Sequence, residues 1–295
     1  MEIDLSQVTT GPFTLYTIET GRFRLDGGAM FGVVPKTLWA RQVEADDKNR
    51  IPMAMRSLLV HSEQTGKLYL IDNGIGTKFD EKYEAIYQVD HQHSNLLGSL
   101  SHHGFAPRDI TDIIFTHLHF DHCGGTTFYD EQGVLQHTFP RARYYVTTSH
   151  WETARHPNAR EKASFFDDNI KPIQESGRLT LVEDGHIYEE GLSSLVVNGH
   201  TLGQQLPVIK ANQQTVVFAA DLLPTASHVP LPWIMGYDMR PLRTLEEKED
   251  ILNRAATEGW FFFMEHDSRN EVIQVDKKNE KFTARTGLTL DDLAD

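Results

Sequence analysis

One cysteine, Cys123, is all the thiol chemistry in 295 residues. An internal disulfide and a multi-cysteine zinc site are therefore excluded, which leaves histidine and carboxylate as ligands if a metal is bound. Basic charge is scarce too: 28 Lys+Arg face 42 Asp+Glu, a formal charge of −14. Such a balance repels nucleic acid and disfavours a polyanionic substrate. No apolar run approaches the ~20 residues of a membrane-spanning helix, so no membrane partner is expected. The opening MEIDLSQVTTGPFTLYTIETG has no basic start followed by an apolar core, and the expected address is cytoplasmic. Low-complexity tracts, long Pro/Gly/Ser linkers and repeats are missing as well. With 39% hydrophobic and 24% charged residues, the chain suits a single layered domain over 1–295, with a core about 10–270 and a C-terminal tail 271–295.

What the chain does have is a series of short apolar runs bounded by turn residues. FTLYTIETGRFRLDGG, IPMAMRSLLVHS and KLYLIDNGIG read as antiparallel strands and hairpins. HSNLLGSLSHHG carries helical spacing and stops at Gly104. RARYYVTT, RLTLVED, LSSLVVNGH and TVVFAAD are further strands, and residues 158–175 form a charged, partly helical insertion. Thr244 and Glu247 predict a capping box opening a helix that ends at Gly259. Strands followed by helices in both halves indicate an α/β sheet sandwich covered by helices.

Histidine and aspartate collect where the strands stop. DIIFT ends at His117, LSSLVVNG at His200, TVVFAA at Asp221 and WFFFME at His266. Rigid strands hold side chains while adjoining loops leave room for substrate, so this is where a ligand site belongs. The stretch THLHFDHCGG is the densest: His117 and His119 share a side with period two, and Asp121 and His122 follow once the chain bends. One pair can hold one metal and the next pair a second. Imidazole and carboxylate suit zinc, iron or manganese, and a carboxylate can bridge two ions. Gly124 and Gly125 keep the crowded turn free of Cβ atoms.

HLHFDH resembles the H-x-H-x-D-H signature of the metallo-β-lactamase superfamily, and NGHTLG, FAAD and MEHD follow in the family's order. The resemblance spans about residues 10–270. It implies an αββα sandwich of two mixed β-sheets, with two divalent metal ions at one edge. It places His117, His119 and His200 on the first metal, Asp121, His122 and His266 on the second, and Asp221 between them. Asp72 of the IDNG turn would orient a ligand histidine. Leu202 and Gln204 depart from the family's G-H-T-P-G-H pattern at positions that are not ligands. Within the superfamily the chain is similar to the lactonase and organophosphate-hydrolase-like branch.

The resemblance implies hydrolysis of a small neutral or apolar ester, a lactone first, by a metal-bridging hydroxide, with Asp121 orienting the hydroxide or passing a proton to the leaving group. A glyoxalase II-like thioesterase and a triesterase are the alternatives. An iron oxygenase with one metal, or a non-catalytic metal-stabilised binding protein, would be a different class. The expected partner is a small-molecule substrate; a homodimer is compatible with the chain. Outside the ligand set, His228 is a candidate substrate contact on the loop after Asp221, and Tyr237 a candidate oxyanion donor or acid. Met30, Phe31, Trp39 and Trp233 would line an apolar wall, or close the core. His102, His103, His150 and His156 are expected to be solvated, and Cys123 to be a small buried residue.

Overall fold

Strands that are apolar on both faces need cover on both, and alternation shows how they get it. In the computed structural model of the protein, residues 5–293 are described. They include β1 (Gln7–Thr10), β2 (Phe13–Asp26), β3 (Arg50–Ser62), β4 (Leu68–Ile71), β5 (Asp112–Ile114), a hairpin of β6 (Thr127–Tyr129) and β7 (Leu135–His137), then β8 (Arg143–Thr147) and β9 (Leu179–Val182). Without the hairpin they form one sheet in the order β1-β2-β3-β4-β5-β8-β9, parallel from β4 onward. Leu15, Leu58, Val60, Tyr69, Ile71, Ile114 and Tyr145 face inward. Their neighbours Leu59, Leu68, Leu70, Ile113 and Tyr144 face a second core on the other side. That period of two fixes the register, since a one-residue slip would exchange the two faces.

The second sheet runs β10 (Ile187–Glu189), β11 (Leu192–Val197), β12 (Gln204–Ala211), β13 (Gln214–Phe218), β14 (Phe261–Phe263), β15 (Val272–Lys278) and β16 (Lys281–Leu288), in that order. Only β13 and β14 pair in parallel. Leu206, Val208, Val217, Phe218, Phe262 and Ile273 belong to the same apolar core as the inward face of the first sheet. The α-helices are α1 (Gly27–Phe31), α2 (Lys36–Trp39), α3 (Glu81–Tyr87), α4 (Leu96–His102), α5 (Phe120–Cys123), α6 (Thr148–Arg155), α7 (Asp167–Glu175) and α8 (Pro241–Glu258). Leu100, Trp151, Ile170 and Ile173 lay α4, α6 and α7 on the first sheet, and Ile251, Leu252 and Ala255 lay α8 on the second. This is the expected αββα sandwich. No helix among the described residues is long and apolar enough to cross a membrane.

Two expectations change. Residues 271–295 are not a tail: as far as they are described, they supply β15 and β16, with Val272, Ile273, Val275, Phe282, Leu290 and Leu293 in the central core. The capping box at Thr244 and Glu247 does not form, because α8 begins earlier with Pro241 in its first position. The Glu247 carboxylate instead accepts the Asn198 and Gly199 N–H groups at 2.9 Å, bracing the loop before His200. The stretch GGAMFGVVPKTLW is two short helices, the first capped by Asp26, whose side chain takes the Ala29 N–H.

Candidate metal centre

The predicted residues arrive at one edge of the sandwich because every contributing strand stops there. Thr116 to His119 follow β5, and α5 then carries Asp121 and His122. His200 follows β11, Asp221 follows β13, and Glu265 and His266 follow β14. Two turns hold left-handed backbone at residues other than glycine: Asp72 at φ 55° and Ala220 at φ 42°. Each such residue costs about 1–2 kcal/mol, a cost that clusters at functional sites. Close approach explains Gly124: a Cβ there would lie 2.0 Å from the Ile75 carbonyl oxygen, so the turn after Asp72 packs directly on the turn after His122.

Two groups of buried donor atoms, each within 4.8 Å of one another, result: His117, His119, His200 and Asp221, and then Asp121, His122 and His266. Ring nitrogens face ring nitrogens. His117 Nε2 is 3.0 Å from His119 Nδ1, which is 3.3 Å from His200 Nε2, while His122 Nε2 and His266 Nε2 are 3.1 Å apart. Asp221 lies between the groups, with Oδ2 3.1 Å from His200 Nε2 and Oδ1 3.2 Å from His266 Nε2.

The opposite nitrogen of each ring has an acceptor from the protein. His117 Nδ1 donates to Thr116 Oγ1 (3.0 Å), whose hydroxyl donates to Asp72 Oδ2 (2.6 Å). His122 Nδ1 donates to Asp72 Oδ2 (3.1 Å), with Glu265 Oε2 at the same distance. His200 Nδ1 donates to Asp238 Oδ1 (3.1 Å), His266 Nδ1 to the Ala54 carbonyl (3.0 Å), and His119 Nε2 meets Glu161 Oε1 at 3.3 Å. Five rings thus have their proton assigned to the outside and a lone pair aimed inward, the arrangement that outer acceptors impose on metal-ligating histidines.

Electrostatics separate the rings. Burial and the neighbouring imidazoles push His117 well below its ordinary value, which keeps its lone pair free. Burial opposes charge on His200 and His266 as well, but the Asp221 carboxylate outweighs it and raises them to about 10 and about 9. Burial likewise works against ionised Asp221, yet His200, His122 and His266 hold it well below the carboxylate range. Asp221 Oδ1 is buried and makes no hydrogen bond. A buried carboxylate oxygen with no hydrogen bond beside inward lone pairs is what a divalent cation satisfies, so the residues present fit one.

Not every predicted residue joins. His228 is buried and turned away: its Nε2 donates to the Met30 carbonyl (2.9 Å), Nδ1 bonds Thr225 Oγ1 (2.8 Å), and the ring stacks on Phe31. With both nitrogens engaged it does not line the cavity over the site, and burial lowers it to about 4. His150 is not solvated but fully buried. It accepts the Leu118 N–H at Nε2 (2.8 Å) and donates from Nδ1 to the Leu202 carbonyl (2.9 Å), tying the His117–His119 loop to the loop after His200. Cys123 is buried, its thiol pushed up to about 12 by burial, and its Sγ donates to the Leu118 carbonyl (3.4 Å) rather than joining the ligands. Of the expected apolar wall, Met30 lines the cavity over the site, whereas Phe31 and Trp39 stack on each other in the core.

That cavity, of about 200 Å³, opens onto His119, Asp121, His200, Asp221 and His266. Leu25, Met30, Phe120, Met235 and Met239 make it mainly apolar, and Tyr87, Tyr237, Glu161 and Arg160 add polar groups. Tyr237 is at the cavity as expected, with its phenol raised by partial burial. The sequence reading missed Glu161, Asp238, Glu265, Thr116 and His150. Thr116 and Glu265 each directly precede a ligand candidate and could have been found there. Glu161 and Asp238 carry no such signal.

The profile of the metallo-beta-lactamase superfamily matches residues 56–266. The chain belongs to that superfamily. Its fold and donor set, with the relatives below, define a metal-dependent hydrolase. A probable metal-dependent hydrolase from Staphylococcus aureus is 28% identical, with a TM-score of 0.84 over 96% of this chain and 100% of that one. AidC, a dizinc quorum-quenching lactonase solved with the product N-hexnoyl-L-homoserine, is 22% identical (TM-score 0.78; 97% and 98% covered). The hydrolase AbOPH of the beta-lactamase superfamily is 20% identical (TM-score 0.79; 97% and 98%).

Proposed function

We propose that the chain is a dinuclear hydrolase of small neutral or apolar esters, with a lactone as its first substrate class. One observation carries the dinuclear reading: the Asp221 carboxylate reaches both donor groups, with Oδ2 3.1 Å from His200 and Oδ1 3.2 Å from His266. In this reading His117, His119 and His200 hold one ion, Asp121, His122 and His266 the other, and Asp221 both. Two divalent ions, with zinc the first candidate and iron or manganese the others, supply a nucleophile at neutral pH and Lewis acidity towards a carbonyl or phosphoryl oxygen.

The chain's own residues do the rest. Leu25, Met30, Phe120, Met235 and Met239 hold the apolar part of the substrate and exclude water. Asp121, on the cavity wall with Oδ2 3.8 Å from His266 Nε2, accepts or returns the proton that moves during cleavage. Tyr237 offers a hydroxyl to the oxygen on which charge develops. The lactone is favoured over a thioester or phosphotriester by the similarity to AidC and by the mainly apolar lining, in which Arg160 is the one arginine or lysine.

The test is purification without added metal, elemental analysis, and a screen of lactones, phosphotriesters and thioesters against wild type and Asp121→Ala. Two ions per chain and lactone turnover lost in the variant are expected. Equal behaviour of the two proteins on every substrate refutes the site, and one iron with oxygen consumption refutes hydrolysis.

A further inference from the structure

His119 and His200 differ from the other three histidines in where their outer acceptors come from. Thr116, Asp72 and the Ala54 carbonyl, which serve His117, His122 and His266, lie on or directly after strands of the first sheet, whereas Asp238 stands on the 235–239 wall and Glu161 belongs to the charged segment that lines the cavity. Glu161 is nevertheless only 4% exposed. Its Oε1 meets His119 Nε2 at 3.3 Å and also accepts the Thr201 hydroxyl, next in sequence to His200. Its Oε2 accepts from Asn158 Nδ2 (3.1 Å), and Asn158 Oδ1 takes the N–H groups of Arg160 and Glu161 (2.9 and 3.1 Å). The turn therefore presents its two long side chains in fixed directions.

The second of them reaches across the cavity. Arg160 donates from its guanidinium to the Gly236 carbonyl on the facing wall. One residue before Gly236, the Met235 N–H donates to Asp238 Oδ2 (3.2 Å), and the other oxygen of Asp238 holds His200. Two outer carboxylates, Glu161 behind His119 and Asp238 behind His200, are thus joined by a bridge over the substrate space.

We infer that Glu161 is a positioning residue for His119, and that the Asn158–Glu161 turn is a clamp that ties the order of the metal centre to closure of the cavity wall. The inference rests on the proposed metal centre. Glu161 fixes the His119 proton on Nε2, so that Nδ1 stays turned towards His117 and His200. Arg160 sets where the 235–239 wall stands, and with it the space offered to substrate.

The probe is Co²⁺, loaded into metal-free protein and removed by a competing chelator, with its visible absorption recorded. Glu161→Ala should hold Co²⁺ ten- to a hundred-fold more weakly and change the absorption band. Glu161→Gln, which keeps an acceptor oxygen and the volume, should recover part of both. Arg160→Ala, which releases the wall from the turn, should weaken Co²⁺ binding by less than Glu161→Ala does and raise KM several-fold; Co²⁺ affinity and KM both equal to wild type would overturn the clamp. Melting temperatures of the metal-free variants separate a folding defect, for which Thr201→Val offers a milder loss at the same oxygen. If Glu161→Ala holds Co²⁺ within twofold of wild type with the same spectrum, the assignment is overturned while the metal centre stands. A wild type that takes up no Co²⁺ overturns both.

Discussion

Replacing His150 by glutamine should remove most of one acid-labile contribution to stability while keeping the fold. The imidazole is fully buried, accepts the Leu118 N–H and donates to the Leu202 carbonyl, so it is held neutral. Burial lowers its pKa from 6.5 to about 3. Between those values the unfolded chain binds a proton that the folded chain refuses. The contribution is therefore complete above pH 6.5 and is lost as pH falls towards 3. The full difference is worth about 5 kcal/mol, of which about 2 kcal/mol disappears between pH 7.5 and pH 5.

Glutamine can offer an oxygen to Leu118 and an N–H to Leu202 but does not titrate. Urea unfolding of metal-free wild type and His150→Gln, followed by tryptophan fluorescence at pH 7.5, 6 and 5, isolates the difference, because every other histidine is common to both. Wild type should lose about 2 kcal/mol more than the variant over that range. Parallel losses in the two proteins would refute the neutral, doubly bonded imidazole. His150→Ala should cost about 2–6 kcal/mol at pH 7.5, since two buried backbone groups lose their partner.

Gly124→Ala should destabilise the protein by about 3 kcal/mol or more, because the new Cβ would lie 2.0 Å from a backbone oxygen that cannot move alone; a melt comparable to wild type would refute the contact. Cys123 should stay unreactive towards an aromatic disulfide reagent in the native state and react stoichiometrically in urea, as burial and a raised thiol require. Lys248→Met should cost about 2–4 kcal/mol and expose residues 230–233 to proteolysis, since the buried ammonium donates to the carbonyls of Pro230, Leu231 and Trp233. Equal protease resistance in the two proteins would show that the ammonium does not hold that loop.

The fold was legible wherever a strand alternated or ended in a ligand-type residue. TVVFAAD and WFFFMEH announce both a buried strand and what it delivers, and the seven ligand candidates meet at the sheet edge. Lost were features decided by a partner distant in sequence. Thr244 and Glu247 have capping-box spacing, but Glu247 is drawn to the Asn198–Gly199 backbone by the packing of α8 on the His200 loop. Residues 272–288 combine charge with scattered apolar positions, and only pairing with β14 reveals that the second sheet continues through them. His228 has the position of a substrate contact and is used up by Met30 and Thr225.

The same distinction divides the metal centre into an inner set that sequence can state and an outer set that it cannot. A buried imidazole with one nitrogen committed to a metal must place its other N–H on an acceptor, because leaving that donor unmet costs about 1–3 kcal/mol. Five buried candidate ligand histidines therefore demand five acceptors. The demand follows from the motif, but any oxygen at the right point in space can meet it: a neighbouring hydroxyl for His117, Asp72 and Glu265 for His122, a carbonyl of β3 for His266, Asp238 for His200 and Glu161 for His119. Because the suppliers are so varied, the outer set is free to differ while the inner ligands stay fixed. Two of its members, Glu161 and Asp238, sit on the walls of the substrate cavity or one residue from them. Changes that reshape the cavity for a new substrate must therefore pass through residues that also hold the metal's histidines, so substrate choice and metal affinity in this chain are expected to vary together.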